Sequence, residues 1–302
     1  MMQHAGAFIP LIEYHLANPQ KSLRIVTDVG PFKRLLCELP ITIIEILGPD
    51  FTQGTIHDDK SLNRQREPGE IALKGYDTFN SEFYFEDFFP KPPRNTITRI
   101  LEFFARTVPA YIKLLPTYRI LLVQRGQDKY YENGCRDRTS VYQTAGSDRR
   151  SIANHGALAA ALVDKYGPAC VSNIILEQSS IYYQYHMFFN AQVVIAQHGA
   201  SLANIFFMSH TNGTPALPQK HIIEISPPWS RQYAHFRNLA DFSRVAHVSI
   251  EQEQDHSAVD IDRVMDAVKN ALQATDTAVE GSAGVRAASH NHTDTVSAAH
   301  TE

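Results

Sequence analysis

The sequence predicts an α/β fold built on parallel strands, and two observations carry that expectation. Residues 192–207 read QVVIAQHGASLANIFF: a β-branched run, a small polar corner, then an apolar spacing that suits a helix. Strand, glycine corner and helix, in that order, present a helix N-terminus to an anionic ligand at the carboxyl end of a strand. The second observation is repetition, because short apolar strands alternate with helical patterns along most of the chain.

Composition bounds the possibilities. A chain of 302 residues with 43% hydrophobic and 20% charged residues suits one large globular domain or two small ones. A net charge of −4 leaves no electrostatic footprint for nucleic acid or an anionic membrane. No apolar run approaches the roughly 20 residues of a membrane-spanning helix. Cys37, Cys135 and Cys170 are odd in number and widely separated, which suggests free thiols rather than a disulfide framework or a zinc site.

In chain order, residues 3–17 have the spacing of an amphipathic helix stopped by Asn18-Pro19. Residues 22–27 (SLRIVT) and 41–47 (ITIIEIL) read as strands joined by a helix, one parallel α/β unit. Residues 50–70 are turn-rich, and residues 71–89 mix aromatic with acidic residues. The segment 90–95 (PKPPRN) is the expected boundary, since closely spaced prolines favour an extended linker. A helical spacing follows over 97–115, then a strand over 119–124 that ends in Arg125. Residues 126–148 are expected to be a polar loop. A helix over 156–166, a strand over 169–176 and a helix over 179–190 lead into the central strand. Beyond it, the apolar run 221–225 is interrupted by Glu224, a carboxylate that needs a partner if the strand is buried. A last strand is expected over 244–250 and a helix over 257–273. Residues 274–302 are rich in Ala, Ser, Thr and His and have the composition of a disordered tail.

The run HGASLANIFF, followed by a loop, IIEISPP and FRNLA, resembles the C-terminal signature of glycosyltransferase family 61. In that family a histidine–glycine corner precedes a strand bearing a glutamate and then a tyrosine-rich segment. Ser201 stands where the family more often has Gly, and Ala203 where it has Thr; both are small. The resemblance implies two Rossmann-like domains facing a cleft, the GT-B arrangement. Residues 1–90 would form a small or truncated acceptor-side domain, and residues 91–273 the nucleotide-sugar domain.

The same resemblance implies roles. Arg125, His198 and the amides of Gly199, Ala200 and Ser201 would hold the donor diphosphate, where negative charge develops as the sugar departs. Asn204 would fix the corner or donate to phosphate, and Glu224 would accept from ribose hydroxyls. Arg150 and Asn154 match the family's R-x-(I/L)-x-N element and would be further nucleotide or sugar contacts. The general base should come from the N-terminal domain, with His4 and Asp28 as candidates. Ala7 stands where many members have Glu.

The expected activity is inverting transfer of a sugar from a nucleotide donor, UDP-linked, to a hydroxyl of a glycan or glycoprotein. No cofactor is expected to be tightly bound, and with no DxD motif the chemistry is expected to be independent of a divalent metal. Alternatives are an inactive glycan- or nucleotide-binding protein on the same fold, and a phosphate-handling hydrolase using His198. Location follows from what precedes the chain: the Golgi or endoplasmic-reticulum lumen if an anchor is missing, the cytoplasm otherwise.

Overall fold

A computed structural model describes residues 12, 14–20, 23–26, 38–39, 43–47, 96–126, 130–132, 141–143, 147, 150–176, 179–209 and 219–274. His4, Asp28, Ala7, the proline-rich segment 90–95 and the tail from residue 275 lie outside them. Strands β1 (Leu23–Val26) and β2 (Ile43–Leu47) pair in parallel, as the strand–helix–strand spacing predicts.

Helix α1 (Thr96–Thr107) places Ile97, Ile100, Leu101 and Phe104 on one buried stripe, the i, i+3, i+4, i+7 pattern of an amphipathic helix. The single helix expected over 97–115 is broken at Pro109, which caps a second, one-turn helix α2 (Ala110–Lys113). Strand β3 (Ile120–Gln124) follows. The polar insert expected to be a loop contains an antiparallel pair, β4 (Tyr130–Glu132) and β5 (Val141–Gln143). Its strands are three residues each, too short for period-two patterning to stand out in the sequence.

The remainder alternates as expected: α3 (His155–Tyr166), β6 (Val171–Ile175), α4 (Ile181–Asn190), β7 (Val193–Gln197), β8 (His221–Ser226), α5 (His235–Ser243), β9 (Ala246–Glu251) and a helix α6 over 261–274. Gly167, at φ 83°, ends α3 in a conformation that costs any other residue more. Ser180 caps α4 by accepting from Tyr183 N. The helix expected from residue 257 starts at 261, where the Asp260 carboxylate accepts from Arg263 N.

Between β7 and β8 the expected α-helix is a 3-10 segment, Ala200–Met208. Three residues per turn puts Leu202, Ile205 and Met208 in one row, and all three are fully buried.

Five strands form one parallel sheet in the order β6-β3-β7-β8-β9. The chain moves from β3 to β6 through α3 on one face, then returns past β3 to β7 through α4 on the other. A reversal of direction with crossovers of constant hand requires that change of face. One core therefore packs α1, α4, the 3-10 segment and α5 against the sheet through Phe104, Phe188, Phe207 and Phe236. The opposite core packs α3 and α6 through Leu158, Leu162, Val264 and Val268. Among the described residues no helix is long and apolar enough to cross a membrane. The strand order reverses between β3 and β7, and in open α/β sheets ligands bind outside the carboxyl ends of the strands at such a switch point.

Candidate active site

Arg125 follows β3, and His198-Gly199 follow β7, so the fold brings both to the switch point. Gly199 is extended, with φ 164° and ψ −177°, so the backbone imposes no need for glycine there. Close approach does. A β-carbon on Gly199 would stand 3.2 Å from Arg125 Nη1 and 3.7 Å from both Cζ and Nη2, so the guanidinium lies flat against the corner.

His198 is almost fully buried, at 4% exposure. Its backbone is held from two sides: the amide donates to Ile225 O at 2.8 Å, and the carbonyl accepts from Arg150 Nη1 at 2.8 Å. Its ring meets Trp229 and Phe236 edge-on, with centroids 5.1 and 4.8 Å away. Arg150 in turn lies 4.5 Å over the Trp229 ring, a cation–π contact that fixes the guanidinium beneath the corner. The loop before α3 and the loop after β9 close over the end of β7. Gln197 Nε2 donates to Gln252 Oε1 (2.6 Å) and to the carbonyls of Ser151 and Asp255 (3.1 Å each).

Glu224 supplies the charge. Its register partner on β7 is Ala196, two residues before His198, so period-two alternation puts both side chains on one face of the sheet. Glu224 Oε1 bonds His198 Nδ1, and Oε2 lies 2.7 Å from His247 Nε2 on β9. Burial pushes the Glu224 carboxyl up, yet the hydrogen bonds from His198 and His247 and their positive charge outweigh it. The group ends below its ordinary value and stays ionised. Three adjacent strands thus supply a row of His198, Glu224 and His247. Beside it, Glu224, His247, Arg231, Tyr233 and Arg237 line a small cleft of about 100 Å³, open to solvent.

Two other sequence-predicted residues are engaged in holding the scaffold. Asn154 donates to Val259 O at 2.8 Å and accepts from Val259 N at 2.9 Å, clamping the start of α3 to the segment before α6. Asn204 donates to Gln184 Oε1 at 2.9 Å, tying the 3-10 segment to α4. Ala200 and Ser201 begin the 3-10 segment directly after the corner. His247 and Trp229 escaped the sequence reading. Period two along AHVSIE sets His247 and Ser249 on the face opposite Ile250, which was the available signal. Among the described residues no group of three or more His, Cys, Asp or Glu side chains is arranged to hold a metal ion.

A parallel α/β sheet with flanking helices defines a Rossmann-like unit, and a buried histidine–carboxylate pair and two arginines stand at its switch point. The family model described as Glycosyltransferase 61 matches residues 68–214, just under half of the chain. The matched segment runs from before α1 through the 3-10 segment, so it contains Arg125, Arg150, Asn154 and the His198 corner and stops short of Glu224 and His247. No curated protein matches the chain.

Proposed function

We propose that the chain is an inverting glycosyltransferase that moves a sugar from a UDP-sugar to a hydroxyl of a glycan or glycoprotein. The observation that carries this reading is the corner itself: the segment similar to Glycosyltransferase 61 contains it, with Arg125 against Gly199 and a buried His198 bonded to Glu224. A guanidinium packed on the corner, with a carboxylate-bound imidazole next to it, is suited to a diphosphate leaving group.

In the proposed reaction the acceptor oxygen attacks the anomeric carbon from the face opposite the diphosphate. The bond from that carbon to the diphosphate oxygen breaks, and UDP leaves with the electron pair. Arg125, His198 and the amides of Gly199, Ala200 and Ser201 stabilise the charge on the departing oxygens. The remaining acceptor capacity of Glu224 serves the ribose. The acceptor proton passes to a base from residues 1–90, for which His4 and Asp28 are the candidates. That segment forms the acceptor side of a GT-B cleft in this proposal, and no divalent metal is required.

The test is a panel of nucleotides and nucleotide sugars, followed by thermal shift and by product analysis, on wild type, His198→Ala and Glu224→Ala. Stabilisation by UDP and one UDP-sugar, lost in both variants, together with sugar transfer supports the proposal. A folded wild type that responds to no nucleotide contradicts it. Donor binding without transfer or slow donor hydrolysis marks the inactive, nucleotide-binding alternative.

A further inference from the structure

His247 does not belong to the corner, yet it holds the other half of the carboxylate that does. The side chains of His198, Glu224 and His247 are each more than nine-tenths buried. An ionised carboxylate accepts from two ring nitrogens only if the nitrogen facing each oxygen carries a proton. This fixes His198 with its proton on Nδ1 and His247 with its proton on Nε2, leaving the other ring nitrogens for further chemistry.

We propose that His247 is a positioning residue of the site: it pins Oε2 of Glu224 and so holds Oε1 against His198 Nδ1. The role rests on reading His198 as a contact of the anionic donor. Without His247 the carboxylate is free to turn away from His198. The charged groups around the row act in one direction. Arg150 and Arg125 face the His198 side from the loop before α3 and from the end of β3. Arg231, Tyr233 and Arg237 line the cleft beside His247. The neighbouring acids are engaged elsewhere, Glu251 with Arg231 at 3.6 Å and Asp255 with Trp229 Nε1 at 2.6 Å. Glu224 is therefore the carboxylate on which both rings depend.

The experiment reads the His198 Nδ1 proton signal by NMR, without nucleotide, and UDP affinity, both at pH 7 in the full chain, with the signal assigned through His198→Gln. Wild type is compared with His247→Gln, whose amide can still donate to Oε2, and with His247→Phe, which cannot donate. The hydrogen-bonded Nδ1 proton signal is expected to persist in wild type and His247→Gln and to be lost in His247→Phe. UDP affinity is expected to stay within about twofold of wild type in His247→Gln and to fall about tenfold in His247→Phe, the equivalent of one charge-assisted hydrogen bond. An Nδ1 proton signal that persists in His247→Phe overturns the proposal, as do equal UDP affinities in the two variants, and His247→Ala takes its place if His247→Phe fails to fold. If wild type binds no UDP while the signal is lost only in His247→Phe, the donor reading fails and the positioning role stands.

Discussion

The two ends of β8 each bury a titratable group, and they do so in opposite ways. At the amino end, Lys220 directs Nζ to the carbonyl of Phe189 and lies 4.9 Å over the Phe189 ring. Burial without a counter-charge pushes its amine down to about 8. His221 beside it is also lowered by burial, and its Nε2 has no hydrogen-bond partner among the described residues. Toward the carboxyl end, Glu224 is equally enclosed, yet two imidazoles keep it charged. One end of the strand tolerates a cation, and the other is built to keep an anion. In a parallel sheet only the carboxyl end opens onto the ligand crevice, so the paired charge is where chemistry can use it.

That contrast can be broken most sharply at Glu224. Glu224→Leu leaves two buried imidazoles without their shared acceptor and is expected to cost about 3 kcal/mol in urea unfolding at pH 7. Lys220→Met, which removes an uncompensated cation, should cost nothing or stabilise. Equal losses would erase the distinction between the two ends.

The pH dependence has the same sign at the two ends but falls in different windows. The Lys220 amine is lower in the folded state, so between about pH 8 and 10.5 the unfolded chain binds more protons and stability rises with pH. The rise attributable to Lys220 is about 3 kcal/mol and should vanish from the wild-type-minus-Lys220→Met difference if the lysine is not the cause. The Glu224 carboxyl is lowered, so its contribution is present above pH 4.5 and is lost as pH falls through its folded value. Subtracting the acid limb of Glu224→Gln from that of wild type measures this. His221 adds a smaller effect: its lowered value means that stability falls as pH drops below 6.5, and His221→Phe should flatten that limb.

The smallest expected change is at Gly199. The contact a β-carbon would make is with the far end of a flexible arginine, so Gly199→Ala should alter stability by less than about 0.5 kcal/mol. UDP affinity should nonetheless fall several-fold, because the Arg125 guanidinium must shift against the corner. A stability loss with unchanged affinity would mean that the glycine serves only the backbone.

Much of this arrangement is legible in the sequence because buried parallel strands declare themselves. Strands β3, β7 and β8 are short, largely apolar runs, and Glu224 stands out as a carboxylate inside one of them. The His198 corner is legible because a small residue follows the strand where Arg125 packs. His247 is not, since β9 is half-exposed and a histidine on a half-exposed strand has no signature until its neighbour is known. The motif suggests a nucleotide or sugar contact for Asn154, and for Asn204 either fixing the corner or donating to phosphate. The partners that occupy them, Val259 and Gln184, lie 105 and 20 residues away, and local spacing does not encode either pairing. The hairpin β4–β5 is hidden because three-residue strands carry too little pattern.

The most direct test of the central claim, that the carboxyl end of the sheet at the β3–β7 switch point binds the donor, is hydrogen–deuterium exchange with and without saturating UDP-sugar. Protection is predicted at residues 125–126, 197–201 and 224–226, with none at residues 186–189 or 219–221. Protection confined to the amino end of the strands, or exchange unchanged everywhere at saturating ligand, would contradict it.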